Sequence, residues 1–337
     1  MTGSRRTTPR RTAPTALVVA ATVALAGCAT PLPEPAPEPV GAVPPPAVTV
    51  DQAQRVLASV NEVLTAADAN RDPAGLPARL VGPALATRTA EYVWAGATGG
   101  ARVPTALPLD EQALVVPETA GWPRTQLVVT EQPDDLQAPR VLVLQQASPR
   151  EPYKLWGWAR LLQGVQMPAT AAPEEGSPEL PADAAGLLVP PSEVGPRYAD
   201  VLTSGDASAH AASFAPDSFR AAIEKARGDT VATLGEAATL AETYAAAAAP
   251  VVTLATVDGG ALVVTEMTTT STVSVTAPGG TVSVEPFYSA LAGGATTASS
   301  LSRVFTDVLV VYVPPADSGA QAQVLAAEHT VTAATAQ

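Results

Sequence analysis

Apolar residues recur along the chain at two different spacings, and the helical spacing gives way to the strand spacing twice. In each of two long stretches, apolar positions three or four residues apart come first, as in a helix packed against a core. Runs of β-branched and aromatic residues separated by turn residues follow, which is typical of strands. The pattern therefore predicts an α+β fold in which helices precede strands, twice over.

The first stretch shows this order clearly. Its predicted helices are 48–67 and 75–94, and its predicted strands are 112–117, 125–131, 140–146 and 153–162. The first helix places Val56, Val60, Val63 and Leu64 on one face. That stripe predicts a helix that covers one side of a sheet.

The second stretch repeats the order. Its predicted helices are 193–204 and 217–248, and its predicted strands are 251–256, 262–276, 281–286, 304–313 and 321–331. Val194, Tyr198 and Val201 lie at helical spacing in the first of these helices. Sequence identity between the two stretches is low, so the suggestion of a tandem duplication rests on the shared order of helices and strands.

Proline-rich segments and the N-terminal apolar run set the predicted boundaries. The predicted segments are a signal peptide (1–27), a lipidated cysteine with a proline-rich tether (28–47), a first α+β lobe (48–167), a linker (168–189) and a second α+β lobe (190–335). The tether sequence favours the extended polyproline conformation, which rises about 3.1 Å per residue. Such a tether would space the folded part away from its attachment point.

Helices that lead into a curved antiparallel sheet resemble the NTF2-like or cystatin-like α+β fold. The expected architecture is two tandem lobes, each with N-terminal helices packed on such a sheet. The chain also resembles tandem-domain lipoproteins of actinobacteria that have no assigned activity. Its richness in Ala, Pro, Gly, Thr and Arg, with little Lys or Asn, agrees with an origin in a high-GC genome.

Cys28 is the only cysteine of the chain and follows Leu25, Ala26 and Gly27 at the end of an apolar run. Arginines and no acidic residues precede that run. The arrangement resembles the signal and lipobox of bacterial lipoproteins. The resemblance implies that Cys28 receives a diacylglycerol, becomes the mature N-terminus and is fatty-acylated, for example with palmitate.

This resemblance predicts a protein on the outer face of the cell membrane, since two acyl chains anchor a protein durably. The alternatives are a plain signal peptide or a transmembrane anchor. The apolar run is shorter than the roughly 20 residues of a spanning helix and contains Pro14 and Thr22. Export by the general secretory route or by the twin-arginine route is left open.

Charge and cysteine content exclude several classes of function. The chain has 19 basic and 32 acidic residues, and a net charge of −13 repels nucleic acid. Once Cys28 is acylated, no thiol remains for disulfides, metal binding or nucleophilic catalysis. With His210 and His329 as the only histidines, a multi-histidine metal site is not expected either. No cofactor, metal or nucleic-acid partner is predicted.

A candidate ligand-facing wall lies in the predicted strand 153–162. Strand alternation would place Lys154, Trp156, Trp158 and Arg160 on one face. Indole rings on that face could stack on an apolar or sugar-like ligand. The alternative is that both tryptophans pack in the core while Lys154 and Arg160 extend to solvent.

No catalytic set is evident. His210 follows Asp206 by four residues, a spacing that usually gives a surface pair. His329 follows Glu328 in a predicted strand, so their side chains should point to opposite faces and not form a dyad. No catalytic acid can be nominated, and the protein is expected not to be an enzyme.

Three functions are therefore weighed. The first expectation is a non-enzymatic envelope scaffold that docks another extracytoplasmic protein. The alternative is a module that binds a small molecule or a glycan through the tryptophan-bearing first lobe. A hydrolase or isomerase comes last, because it would need a buried acid clustered with a His or Tyr.

Overall fold

The computed structural model describes residues 44–132 and 138–337. Its helices are α1 (Val50–Asn70), α2 (Gly82–Ala97), α3 (Pro191–Ser204), α4 (Ser218–Leu234) and α5 (Pro286–Leu291), with 3-10 turns at Pro73–Ala78, Gly205–Ala207 and Ala211–Ser213. Its strands are β1 (Glu111–Val115), β2 (Pro117–Glu118), β3 (Arg124–Thr130), β4 (Arg140–Gln146), β5 (Lys154–Leu161), β6 (Ser177–Pro178), β7 (Ala238–Ala246), β8 (Val252–Ala255), β9 (Ala261–Val275), β10 (Val282–Ser283), β11 (Thr297–Ala298), β12 (Ser300–Val313) and β13 (Gln323–Ala336). The predicted mixture of helices and antiparallel sheet is confirmed.

One open antiparallel sheet of nine strands runs through this part of the chain. Its order is β1-β3-β4-β5-β13-β12-β9-β7, and β8 also pairs with β9. The first half of the chain contributes the run from β1 to β5, and the second half contributes the run from β13 to β7. Each run is an up-and-down meander, and the two meet through their last strands.

The junction between the halves is short. β5 and β13 pair at two registered positions, Leu161 with Ala326 and Arg160 with Ala327. β13 continues to Ala336, but β5 no longer pairs with it. Because one sheet joins both halves, the predicted separation into two lobes is not confirmed.

The segment predicted as a linker, 168–189, packs against both halves. The amide of Ser177 donates to the carbonyl of Val116 at 2.8 Å, and the amide of Leu180 donates to the carbonyl of Thr253 at 2.9 Å. β6 also pairs in parallel with β2. The segment thus adds a second connection between the halves.

Helix α1 shows how local sequence sets an element. Thr49 and Gln52 form a reciprocal capping box, which satisfies two backbone amides at the start of the helix. The buried face carries Ala53, Leu57, Val60, Leu64 and Ala67. The predicted stripe is confirmed at Val60 and Leu64, and it faces the sheet.

Three large clusters of apolar side chains hold the layers together. The first lies within the first half and includes Val128, and the second lies within the second half. The third includes Leu127 of β3 and Leu262 of β9, so it draws on both halves. Since Leu127 and Val128 are neighbours on one strand, the shared cluster lies on the sheet face opposite the first cluster. Burial of this shared apolar surface, at about 25 cal/mol per Å², joins the halves into one unit.

The prediction of one helix over 217–248 is correct only for its first half. α4 ends at Leu234, where Gly235 adopts a φ of +55°. The following residues form β7, which pairs with β9 over its whole length. Alanine favours a helix in isolation, but the ladder to β9 and the burial of alternate side chains override that preference.

Candidate functional site

A cavity of about 580 Å³ lies where β13 runs on beyond its pairing with β5. Its walls come from the end of α2 and the loop 102–106 in the first half, and from α5, β12 and β13 in the second. We call it the seam cavity. The volume is within the range of sites for small organic ligands.

Residues of the seam cavity fall into two chemical groups. Its aromatic side chains are Trp94, Tyr288 and Phe305, and its ionisable side chains are Glu91, Arg102, Arg160, Glu328 and His329. Four other depressions, of about 220 to 670 Å³, are more open to solvent. The seam cavity is therefore more enclosed than these four depressions and is lined by more ionisable side chains than any of them.

His329 is held from behind by a fully buried carboxylate. Its Nδ1 lies 2.5 Å from Oδ1 of Asp307, and the Thr269 hydroxyl donates to Oδ2 of the same carboxylate at 2.5 Å. Asp307 is 0% exposed, whereas the His329 side chain is 27% exposed. The β12–β13 register places Asp307 directly opposite His329. The sheet itself therefore builds this Thr–Asp–His chain.

Two aromatic rings fix the orientation of the imidazole. The Phe305 ring stacks on His329 with centroids 4.1 Å apart and planes 9° apart, and the Phe219 ring meets it edge-on at 5.8 Å. Such packing leaves the imidazole few alternative rotamers. The ring is oriented before any ligand enters.

Glu328 brings a second ionisable group to the cavity. Burial raises the pKa of its carboxyl, and the neighbouring Glu91 raises it further. The Thr330 hydroxyl, which donates to Oε1 at 2.6 Å, and the cations Arg140 and Arg160 act in the opposite direction. Burial is the largest of these effects, so the carboxyl retains its proton more strongly than a solvated glutamate does.

The first half contributes a buried ion pair beside Glu328. Arg88 is 1% exposed, and its Nη1 lies 3.0 Å from Oε2 of Glu91. The other oxygen of Glu91 accepts a hydrogen bond from the backbone amide of Thr105 at 3.1 Å. This pair fixes the loop that closes one side of the seam cavity.

A model of the domain of unknown function DUF8094 matches residues 44–336. The chain belongs to this family. No curated protein and no solved structure matches the chain significantly. The match covers both halves of the sheet and every wall of the seam cavity, so the DUF8094 domain of this protein contains the whole site.

In this DUF8094 domain the four residues predicted to face a ligand do not share a face. β4 pairs Val143 with Gly157 and Leu144 with Leu155, so Trp156 is the extra residue of a bulge. Trp156 therefore joins the shared cluster while Trp158 joins the first cluster, with 8% and 1% of their surfaces exposed. The predicted alternation is wrong because a bulge reverses it.

The two predicted cations of that wall have separate places. The Lys154 ammonium donates to the carbonyl of Pro77 at 2.8 Å. Arg160 is exposed and lines the seam cavity. Of the four, only Arg160 lies at this site of the DUF8094 domain.

The remaining sequence candidates are dispersed. Asp206 Oδ1 accepts a hydrogen bond from Nη2 of Arg220 at 2.7 Å, and Asp206 does not pair with His210. Leu25, Ala26, Gly27 and Cys28 lie outside the described residues, as do the predicted signal peptide and most of the tether.

Sequence reasoning missed Asp307, Thr269 and Phe305. It correctly placed Glu328 and His329 on opposite faces of a strand, but their neighbours on other strands decide the chemistry. One signal was available: Asp307 interrupts an apolar run, and a buried acid requires partners.

Neither 44–132 nor 138–337 contains a helix of the length and hydropathy required to cross a bilayer. Within the same ranges, no group of three or more His, Cys, Asp or Glu side chains is arranged to hold a metal ion.

Proposed function

We propose that this protein is a lipid-anchored, extracytoplasmic binding protein that takes a small organic ligand into the seam cavity. The observation that carries the proposal is the cavity itself, which is lined by both halves and holds an oriented imidazole, a half-buried carboxyl and three aromatic side chains. Aromatic walls with a few fixed polar groups are the usual composition of a ligand site.

The lining indicates an amphiphilic ligand. Trp94, Tyr288 and Phe305 offer apolar surface, while Arg102 and Arg160 offer positive charge at the same cavity. The Arg102 guanidinium already stacks on Trp94, 3.4 Å from the ring centroid. A ligand with an aromatic or aliphatic body and a polar or anionic end would match both groups.

This proposal favours the binding alternative over the scaffold expected from the sequence. A scaffold requires a surface patch, whereas the distinguishing feature of the described residues is a partly enclosed cavity. The site also lies at the junction of the halves rather than within the tryptophan-bearing first half.

We further propose that the halves are tandem duplicates of one α+β unit of the NTF2-like or cystatin-like kind. Each half has two helices followed by a four-stranded meander, and the strand order of the second half mirrors that of the first across the β5–β13 junction. Duplication of a single unit accounts for this order. The seam cavity would then have arisen at the interface between the copies.

The probe 8-anilinonaphthalene-1-sulfonate, an aromatic anion, tests the binding site. We expect it to bind the purified protein with one-to-one stoichiometry, measured by its fluorescence. Ala106→Trp should weaken binding at least tenfold, because Ala106 lines the cavity and is exposed enough to accept a larger side chain without refolding the core.

The matched control is Ala101→Trp in the same loop, which is exposed and does not line the cavity. It should bind the probe as the parent does. Equal binding by Ala106→Trp and Ala101→Trp, or no binding by the parent, would contradict the proposed site.

The anchor has its own test. Cys28→Ala should abolish incorporation of radiolabelled palmitate and release the protein from the membrane fraction, because the thiol is the acyl acceptor. Immunoblots of membrane and culture fractions measure the release. A Cys28→Ala protein that stays membrane-bound, or a parent that takes up no label, would refute lipid anchoring.

A further inference from the structure

The hydrogen bond between Asp307 and His329 determines where the imidazole carries its proton. A carboxylate only accepts hydrogen bonds, so the neutral ring donates from Nδ1 and keeps a lone pair on Nε2. Among the described residues, Nε2 has no hydrogen-bond partner. Asp307 thus presets the tautomer in which Nε2 is a base.

The base belongs to the seam cavity. His329 lines it together with Glu328, and Phe305 stacks on the ring. Asp307 accepts a hydrogen bond from Thr269 and holds Nδ1 of His329, so the ring is fixed from behind by two other strands of the sheet.

We propose that the seam cavity hydrolyses a carboxylic ester, with His329 as the general base and Asp307 as its positioning residue. This proposal rests on the ligand site proposed above. It departs from the non-enzymatic function expected from the sequence.

The cavity lining favours direct attack by water. Its lining side chains include no serine or cysteine, and the Thr330 hydroxyl donates to Glu328. The Thr105 hydroxyl also lines the cavity, but none of the described contacts joins it to His329, so we assign the base to the activation of water. Water reaches the site because His329 is partly exposed.

The reaction balances with water as the co-reactant. His329 Nε2 takes a proton from water as the water oxygen bonds to the carbonyl carbon, and the negative charge develops on the carbonyl oxygen, in a cavity that the cations Arg102 and Arg160 also line. The carbonyl then re-forms, the bond to the alcohol oxygen breaks, and the imidazolium returns its proton to that oxygen. The products are a carboxylic acid and an alcohol, and the side chains end as they began.

The substrate class follows from the walls. Trp94, Tyr288 and Phe305 suit an apolar or aromatic acyl or alcohol group. Arg160 provides a cation that would attract the carboxylate product. We therefore expect esters with at least one apolar substituent.

Hydrolysis of p-nitrophenyl butyrate tests the proposal, because released nitrophenolate measures turnover directly. His329→Gln should lower kcat/KM about 100-fold, the lower end of the effect of a general base. His210→Gln is the matched control, since it removes the other histidine, and it should leave kcat/KM unchanged. Equal rates for the parent and His329→Gln, or no turnover by the parent, would overturn the proposal.

Asp307→Asn tests the positioning role. It should lower kcat/KM and change its pH profile, because an amide can donate to Nδ1 and favour the other tautomer. If the profile keeps its shape, Asp307 has no positioning role. His329→Gln, which changes a partly exposed residue, tests the base even if Asp307→Asn does not fold.

Binding of 8-anilinonaphthalene-1-sulfonate separates the two proposals. A parent that binds the probe but hydrolyses no ester refutes the hydrolase and retains the ligand site. A parent that does neither refutes both. Loss of hydrolysis with retained probe binding in His329→Gln is the result that supports the hydrolase.

Discussion

Trp158→Ala is expected to lower the free energy of unfolding by about 3–5 kcal/mol, the range for truncating a large buried aromatic side chain. Trp158 is 1% exposed and lies in the first cluster. It pairs with Leu142 across the β4–β5 ladder, and the Arg88 guanidinium lies 5.4 Å from its ring. Truncation would leave a cavity between α2 and the sheet. Urea unfolding followed by far-ultraviolet circular dichroism measures the change.

Trp122→Ala is the matched control for this prediction. Trp122 is 40% exposed, and its indole contacts Gln146 and Arg124 near the surface. Its removal should change the free energy of unfolding by less than about 1 kcal/mol. If Trp158→Ala lowers the free energy of unfolding no more than Trp122→Ala does, the Trp158 ring does not support the core. That result would favour the interpretation of β5 as a ligand-facing strand.

Asp307→Ala should lower the free energy of unfolding by about 2–4 kcal/mol. The carboxylate is fully buried and accepts hydrogen bonds from Thr269 and His329. Its removal leaves the Thr269 hydroxyl without its acceptor and opens a small void in the sheet. Urea unfolding at neutral pH measures the loss.

Exposed Asp317 gives the control, because Asp317→Ala changes the same residue type without burial. It should shift the free energy of unfolding by no more than about 0.5 kcal/mol. Thr269→Val removes one of the two hydrogen bonds of Asp307 and should have an intermediate effect. A loss below 0.5 kcal/mol in Asp307→Ala, judged on the scale of surface substitutions, would contradict the buried network.

Local patterns predicted much of the secondary structure. α1, β3, β4 and β5 lie within a few residues of their predicted bounds, because a capping residue, a helical stripe or a β-branched run is a local property. β7 shows the limit. Its alanines favour a helix, and only the ladder to β9 makes the strand the better solution.

The candidate site was much less predictable. Glu328 and His329 were visible as neighbours on a strand, but Asp307 became the partner of His329 through the register of β12 and β13. A slip of one residue would place Asp307 opposite Glu328 or Thr330 instead. The bulge at Trp156 was equally unpredictable from the sequence. An extra residue in β5 can be recognised only from its pairing with β4.

The sequence by itself determined the α+β class, the repeated order of helices before strands, the acidic charge and the Leu-Ala-Gly-Cys run that ends at Cys28, since each depends on composition or on residues close together in the chain. Only the tertiary structure decided that both halves share one sheet and that the seam cavity joins Trp94 to His329. Strand register and the burial of a common apolar face set these features. These features depend on which segments, far apart in the sequence, bury their apolar surfaces against each other. A local sequence pattern contains no information on that pairing.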